Sequence, residues 1–428
     1  MRILLIGAGG VGDCIAKVAA ERSFFEVMVV SDYDISRAEK SIEWIRKRHG
    51  DEVAAKFIPS KIDASNAANI VEVCRAHNIT YVINAVEPKF VPTVFSAAFT
   101  AGVGYVDMAM SLSEPHETEP FRKPGIKLGD AQYALNDQWE KAGQLALIGM
   151  GVEPGLSNIF AKYAYDELFS VVDEVSIKDG SNLVVRNEAG EEIFAPSFSI
   201  WTVIEECLNP PVIYEKEKGW YTTQPFSEPE IFEFPEGIGA VECVNVEHEE
   251  IPMLPRTMDV GKVTFKYGLG SDFIDVLKTL HHLGIDATKP VRVRSASGPV
   301  DVAPRDMVVA VLPDPATIGP RMEGKACAGV LITGKDKSGK DRATYIYHVA
   351  DNAETMAEYD SQCVVMQTAF NPVIALELIA EGKWQGVGVR APEEFAPKPF
   401  LDLMSASTGY HQRWFAQERL PANPLALP

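Results

Sequence analysis

Two short stretches carry residue types whose spacing could do chemistry. The first, GAGGVG, sets Gly7, Gly9 and Gly12 in a G-x-G-x-x-G frame directly behind an apolar run. Gly7 permits a tight turn, Gly9 lets the backbone approach a pyrophosphate, and Gly12 lets the next helix pack close to the preceding strand. Gly10 and Val11 lie in the same turn, at a helix N-terminus that faces phosphate. Asp32 follows Gly12 by twenty positions, where a carboxylate can accept hydrogen bonds from ribose hydroxyls and repel a 2′-phosphate. The second stretch is VEHEE, residues 246–250. His248 titrates near neutral pH, and on a strand Glu250 would share its face while Glu249 pointed the other way. Such a pair suits work at a nitrogen, with His248 exchanging its proton and Glu250 holding its positive charge. The plainer alternative for His248 is a buried histidine hydrogen-bonded within a sheet.

Further candidates fall at predicted strand ends. Asn84 is placed to hold the nicotinamide ribose or carboxamide of a dinucleotide, beside Ala85, and Asp63 joins them as a cofactor contact past the third strand. Asp107 stands at the mouth of the fifth strand, where open α/β sheets bind ligands, or is a turn or cap residue. Glu153, Pro154 and Gly155 open a helix whose backbone could meet the nicotinamide or a substrate carboxylate, or form a stiff hinge. Trp201 could lay its ring against a cationic amine, or simply pack in the core. Tyr214 and Lys218 have a Y-x-x-x-K spacing, but they follow Pro210 and Pro211 in a turn-like segment, which argues against a catalytic pair on a helix.

These residues need elements to position them. From Met1 to about Met150, short apolar runs alternate with helical patterns, the signature of parallel βαβ units. Strands are predicted at 2–6, 27–31, 56–62, 81–86, 104–108 and 145–150, with helices at 36–49 and, behind a Ser65 cap, 66–77. The fold class is α/β: a Rossmann, doubly wound parallel sheet with a second, mixed α+β domain. Past Gly155 a helix over 156–168 leads into β-rich sequence with many glutamates. Beyond it, a helix is expected at 272–283, strands over 291–311 and 326–349, and an amphipathic helix at 364–381. The expected domains are 1–155 for the dinucleotide, 156–363 for the substrate, and 364–428 returning to the first.

Composition narrows the classes. Forty basic against sixty acidic residues leave a net charge of −20, which repels nucleic acid and anionic lipid. No uninterrupted apolar run of the roughly 18 residues that span a bilayer is evident, and no leader pattern opens the chain, so a cytoplasmic protein is expected. The six cysteines and eight histidines show neither C-x-x-C nor H-E-x-x-H spacing, and no metal is expected.

The segment GMGVEPGLSNIFAKYA, 149–164, resembles the strand, turn and helix of the saccharopine dehydrogenase superfamily. VINA at 82–85, YVD ending at Asp107, AVLPDPATIGP at 310–320, YIYHVAD at 345–351, GKW at 382–384 and the PxPF ending at Phe400 are similar to its carboxynorspermidine dehydrogenase group. The likeness spans nearly the whole chain, and His248 and Glu250 match a His-x-Glu pattern of that group. It implies an NAD(P)-dependent oxidoreductase that makes or breaks the C–N bond of a small amine or amino-acid substrate, working as a homodimer. Two departures matter. Asp32 stands where the resembling reductases carry arginine, which favours NAD, although Arg37 could serve NADP if its loop folded back. The stretch 181–232 has no counterpart, so substrate identity is expected to be decided there. A homospermidine synthase-like aminobutyl transfer with retained NAD, and an NAD-binding regulator without catalysis, are the rival readings.

Overall fold

The structure, a computed structural model, describes residues 1–419. Its first layer system is a seven-stranded parallel sheet built from β1 (Arg2–Ile6), β2 (Val27–Asp32), β3 (Phe57–Lys61), β4 (Tyr81–Asn84), β5 (Gly104–Asp107), β6 (Leu145–Leu147) and a late strand, Gly388–Arg390. In space the late strand comes first, followed by β6, β5, β4, β1, β2 and β3. The order reverses between β4 and β1, and a crevice opens at the carboxyl ends of strands at such a switch point. Leu4, Ile6, Val29 and Val82 bury one face of the sheet; Ile3, Leu5, Val30, Ile83 and Val106 bury the other. Burial on both faces is why these strands read as continuous apolar runs.

A second, nine-stranded mixed sheet is centred on the strand Phe169–Ser181, which pairs in parallel with Val260–Gly268 and antiparallel with Lys325–Asp336. Its inner face, with Val175, Ile177, Phe265, Val330 and Ile346, belongs to the same core as the helices Leu156–Tyr163 and Cys363–Ala380. A small lobe, with helices Ser271–His282 and Pro304–Val311 around a two-stranded hairpin, is attached to this domain.

Four details differ from the sequence reading. Residues 304–311 are helical, because Pro304 fixes a first helical turn and Val308 alone of the run reaches the core. The helix after β3 is capped by Asn66, which accepts from the Asn69 amide at 3.1 Å, not by Ser65. The helix Cys363–Ala380 is, by length and composition, apolar enough to cross a membrane. It is 78% buried over that window and packs on α1 (Gly10–Ala19), so it is a core helix of this fold. Finally, the C-terminal segment divides: Gly388–Arg390 joins β6, whereas Trp414–Arg419 pairs with Asp341–Asp351 in the second sheet. Residues 420–428 of that segment lie outside the described residues.

Candidate active site

β1 runs into a turn that needs glycine for three different reasons. Gly7 has φ +98°, and a Cβ there would lie 2.6 Å from the carbonyl oxygen of Ala85. A Cβ on Gly12 would lie 1.8 Å from the carbonyl oxygen of Gly7, so α1 can pack this close only without one. A Cβ on Gly9 would meet nothing within 4 Å; its bareness serves no packing inside the protein. The amides of Gly10, Val11 and Gly12 open α1 and have no intrahelical acceptors. A bare backbone face, unpaired first-turn amides and the helix dipole fit a pyrophosphate.

Asp32, 6% exposed, accepts from the Ala8 amide at 2.8 Å and the Asp34 amide at 3.0 Å, which fixes it beside that turn. Each carboxylate oxygen carries a further lone pair for a ribose hydroxyl. Arg37 lies over the exposed ring of Tyr33, 5.5 Å from its centroid. Asp63 is exposed and accepts from the Ser65 amide and hydroxyl.

The second cluster forms where the two domains meet. The strand Gly239–Asn245 ends before VEHEE, and the chain turns into a short helix, Glu250–Met253, with Pro252 in its first turn. VEHEE is therefore not a strand, and the expected alternation fails: Glu247, His248, Glu249 and Glu250 are all buried, and Glu249 lies on the same side as His248. Nδ1 of His248 is 2.5 Å from Oε2 of Glu250 and 3.5 Å from Oε2 of Glu249. The imidazole stacks on Phe265 with 3.7 Å between centroids, and Ser157 Oγ donates to Glu250 Oε1 at 2.6 Å.

Burial opposes charge on this histidine, but Glu250, then Glu249 and Glu206, overcome it and push His248 up to about 10. It is an imidazolium at neutral pH. Burial drives the surrounding carboxyls upward: Glu206 to about 8, and Glu247 and Asp179 to about 7. Burial, with Asp179 and Glu250 beside it, raises Glu153 well above the usual carboxyl range, and Oε1 of Glu153 is buried without a hydrogen-bond partner.

Other predicted residues take different places. Asp107 is completely buried; Oδ2 accepts from Tyr105 Oη at 2.9 Å and Gln132 Nε2 at 2.8 Å, and Oδ1 accepts from the Gly149 amide at 2.6 Å. It ties β5 to the segment after β6, and both of its oxygens already accept hydrogen bonds within the protein. Asn84, also buried, donates to the same tyrosine at 2.9 Å. The helix after Gly155 does not offer free amides either: the Gly155, Leu156 and Ser157 amides bind Asn158 Oδ1, Gly151 O and Val152 O. Gly155 has φ +133°, and a Cβ there would lie 2.1 Å from the Gly151 carbonyl oxygen, so Pro154 and Gly155 make a tight internal turn. Trp201 lines the interdomain cleft, but the Arg305 guanidinium already lies over its ring at 4.8 Å.

Sequence reasoning missed Asp179 and Glu206. The first lies on the central strand of the second sheet, the second on the helix Ile200–Leu208 between buried Ile204 and Cys207. A glutamate within an otherwise apolar helical face was the available signal.

A dinucleotide turn facing a second domain that supplies a buried acid–base cluster defines a two-domain, nucleotide-dependent oxidoreductase. The chain belongs to the saccharopine dehydrogenase family: residues 3–147 match the saccharopine dehydrogenase NADP binding domain and residues 151–410 its C-terminal domain. It is an NAD(P)-dependent oxidoreductase. The chain is 27% identical over 427 residues to a carboxynorspermidine synthase of Vibrio alginolyticus, covering 99% of both chains. It is 26% identical over 402 residues to a carboxyaminopropylagmatine dehydrogenase of a Synechocystis species, covering 94% of both. The apo saccharopine dehydrogenase (L-Glu forming) of Saccharomyces cerevisiae shares the fold, with a TM-score of 0.65 at 13% identity over 98% of this chain and 100% of that one.

Proposed function

We propose that the protein reductively joins an amine bearing positive charge to a carbonyl compound, or cleaves the resulting secondary amine, with His248 as the acid–base group at the reacting nitrogen. The observation that carries this reading is the buried imidazole of His248, 2.5 Å from Glu250 and 3.5 Å from Glu249, with a carboxylate oxygen of Glu206 within 4.8 Å. A dinucleotide bound with its pyrophosphate at the glycine turn would supply or accept the hydride through its nicotinamide. The protein's own residues handle the proton. In the joining direction, an amine adds to the carbonyl carbon, and the carbinolamine loses its hydroxyl as water when protonated by His248, leaving an iminium for reduction. A histidine pushed to about 10 is matched to an alkylamine, whose own value is about 10, so proton exchange between them is nearly balanced. With Nδ1 held by Glu250, Nε2 is the nitrogen left for this exchange. Glu250 is spent on His248 and Ser157; it keeps the imidazole charged and oriented.

Asp32 supports NAD as the preferred cofactor, since its carboxylate repels a 2′-phosphate. Six free cysteines, all buried, support a reducing, cytoplasmic setting. A homodimer through the outer face of the second sheet, where Phe415 is 39% exposed, completes the reading; sedimentation of the purified protein tests it. The central experiment is a screen of di- and polyamines with aldehyde partners, in both directions, followed by reduced-nicotinamide absorbance with chromatography of products. Cofactor-linked formation of a secondary amine is expected. Product formation without net cofactor change would select group transfer, and cofactor binding without product would select a regulator.

A further inference from the structure

Glu153 and Asp179 approach His248 from two separate elements. Asp179 pairs with Tyr267 in the second sheet, two residues along the same face from the pair formed by Ile177 and Phe265. Phe265 is the ring on which His248 stacks. Glu153 sits in the tight turn between Gly151 and Gly155, four residues before Ser157, whose hydroxyl holds Glu250. The side chains of Glu153 and Asp179 are within hydrogen-bond reach of each other, with Glu250 close to both and His248 close to Asp179. Oε1 of Glu153 is buried, and no donor among the described residues reaches it. Two buried carboxyls in such contact cannot both be ionised, so between them they hold one proton and one negative charge. Neither is needed to orient His248, whose Nδ1 is already held by Glu250.

We propose that Glu153 and Asp179 are a proton reserve for His248: once the histidine has given its proton to the carbinolamine, the pair hands over the one it holds. The inference rests on the functional reading above and adds two positioning residues that act through the histidine. The proton balance of the joining reaction calls for such a reserve. When an amine adds as its free base, its nitrogen passes one proton to the former carbonyl oxygen. His248 supplies the second, water leaves, and the iminium carbon takes the hydride from the reduced nicotinamide. Each turnover therefore leaves His248 one proton short. The histidine is only 5% exposed, which hinders recharging from bulk water. Its imidazole, pushed up to about 10, draws a proton from a neighbouring acid instead. The pair is refilled from solvent between turnovers, and in the cleaving direction the same transfers run backwards.

Glu153→Gln and Asp179→Asn each keep a hydrogen bond within the pair and its single negative charge, but remove the transferable proton. Diaminopropane or putrescine, whichever turns over faster with its aldehyde in the screen above, is mixed with the full-length protein and reduced nicotinamide in a stopped-flow instrument. In both variants the first hydride transfer should stay within about twofold of the wild-type rate, because the field at His248 is unchanged. Later turnovers should be at least about tenfold slower than in the wild-type protein. That slow phase should slow further as pH rises, since bulk acid alone then recharges the histidine, a dependence that a merely structural pair would not produce. Thermal unfolding shows which variants are folded, and either one suffices. Unchanged steady-state turnover in a folded variant overturns the inference, and so does an equal slowing of the first and later turnovers. A wild-type protein that transfers no hydride with any amine and aldehyde overturns the functional reading itself, whereas wild-type turnover without the two phases in the variants overturns the reserve alone.

Discussion

Nδ1 of His248 is held at 2.5 Å by a carboxylate whose other oxygen is held by Ser157, and the two residues therefore do different work. His248→Gln should lower turnover by about 10²- to 10⁴-fold, the usual worth of a positioned acid or base, and leave dinucleotide affinity intact. Single-turnover hydride transfer at a near-normal rate in a folded variant would remove this histidine from the chemistry. Glu250→Gln removes the largest influence that raises His248. The pKa of the histidine should fall, so the limb of the pH–rate profile that reports it should move to lower pH, a shift that a merely structural glutamate would not produce. Asp32 makes a prediction of another kind: NADH should bind more tightly than NADPH, and Asp32→Ala should narrow the gap, as fluorescence titration of both cofactors will show. Tighter binding of NADPH by the wild-type protein would give the decisive role to Arg37. Asp32 was legible because its place depends on a local count from Gly12. The ring around His248 was not, because Asp179 and Glu206 come to it from a strand and a helix that only the tertiary fold brings together.

Among elements, the turn between β1 and α1 separates packing from recognition. Gly9→Ala places its methyl group in open space on the protein side, so folding should be unaffected while NAD affinity is lost, both readable in one pairing of thermal unfolding with calorimetry. Gly12→Ala drives a methyl group into the Gly7 carbonyl, and the variant should be destabilised with or without cofactor. Equal behaviour of the two variants would refute this division. The first six strands were readable because burial on both faces leaves short unbroken apolar runs, which are local signals. VEHEE was misread because two-residue alternation describes a strand, and here a turn followed by Pro252 ends the strand at Asn245. The extra helix at Pro304–Val311 was lost in the same way: a short apolar run does not by itself distinguish helix from strand.

For the molecule as a whole, most of the buried titratable groups act in one direction; His348, lowered by burial to about 4, and Lys178, lowered by burial to about 7, act in the other. Asp107, Asp179 and Glu247 are raised to about 7, Glu206 and Glu393 to about 8, and His248 to about 10, in each case against the penalty or with the help of burial. These six groups outnumber the two lowered ones, so on balance the folded protein holds protons that the unfolded chain would release. Their stabilisation is fully present below the ordinary values of 3.8, 4.5 and 6.5, and is lost as pH rises through the raised ones. The melting temperature without ligands should fall between about pH 5 and about pH 9, and scanning calorimetry showing it rise over that interval would contradict the buried acid ring. Architecture adds a temporal consequence. The strand Gly388–Arg390 reaches β6, and the helix Cys363–Ala380 reaches α1, only after the second domain has been translated through Asp351. On the ribosome the backbone edge of β6 and the apolar flank of α1 thus stay bare while everything between them is made, open to wrong partners in the meantime. The half of the protein that is synthesised first is thus completed only near the end of the chain, and a nascent chain that stalls before Gly388 leaves it one strand short.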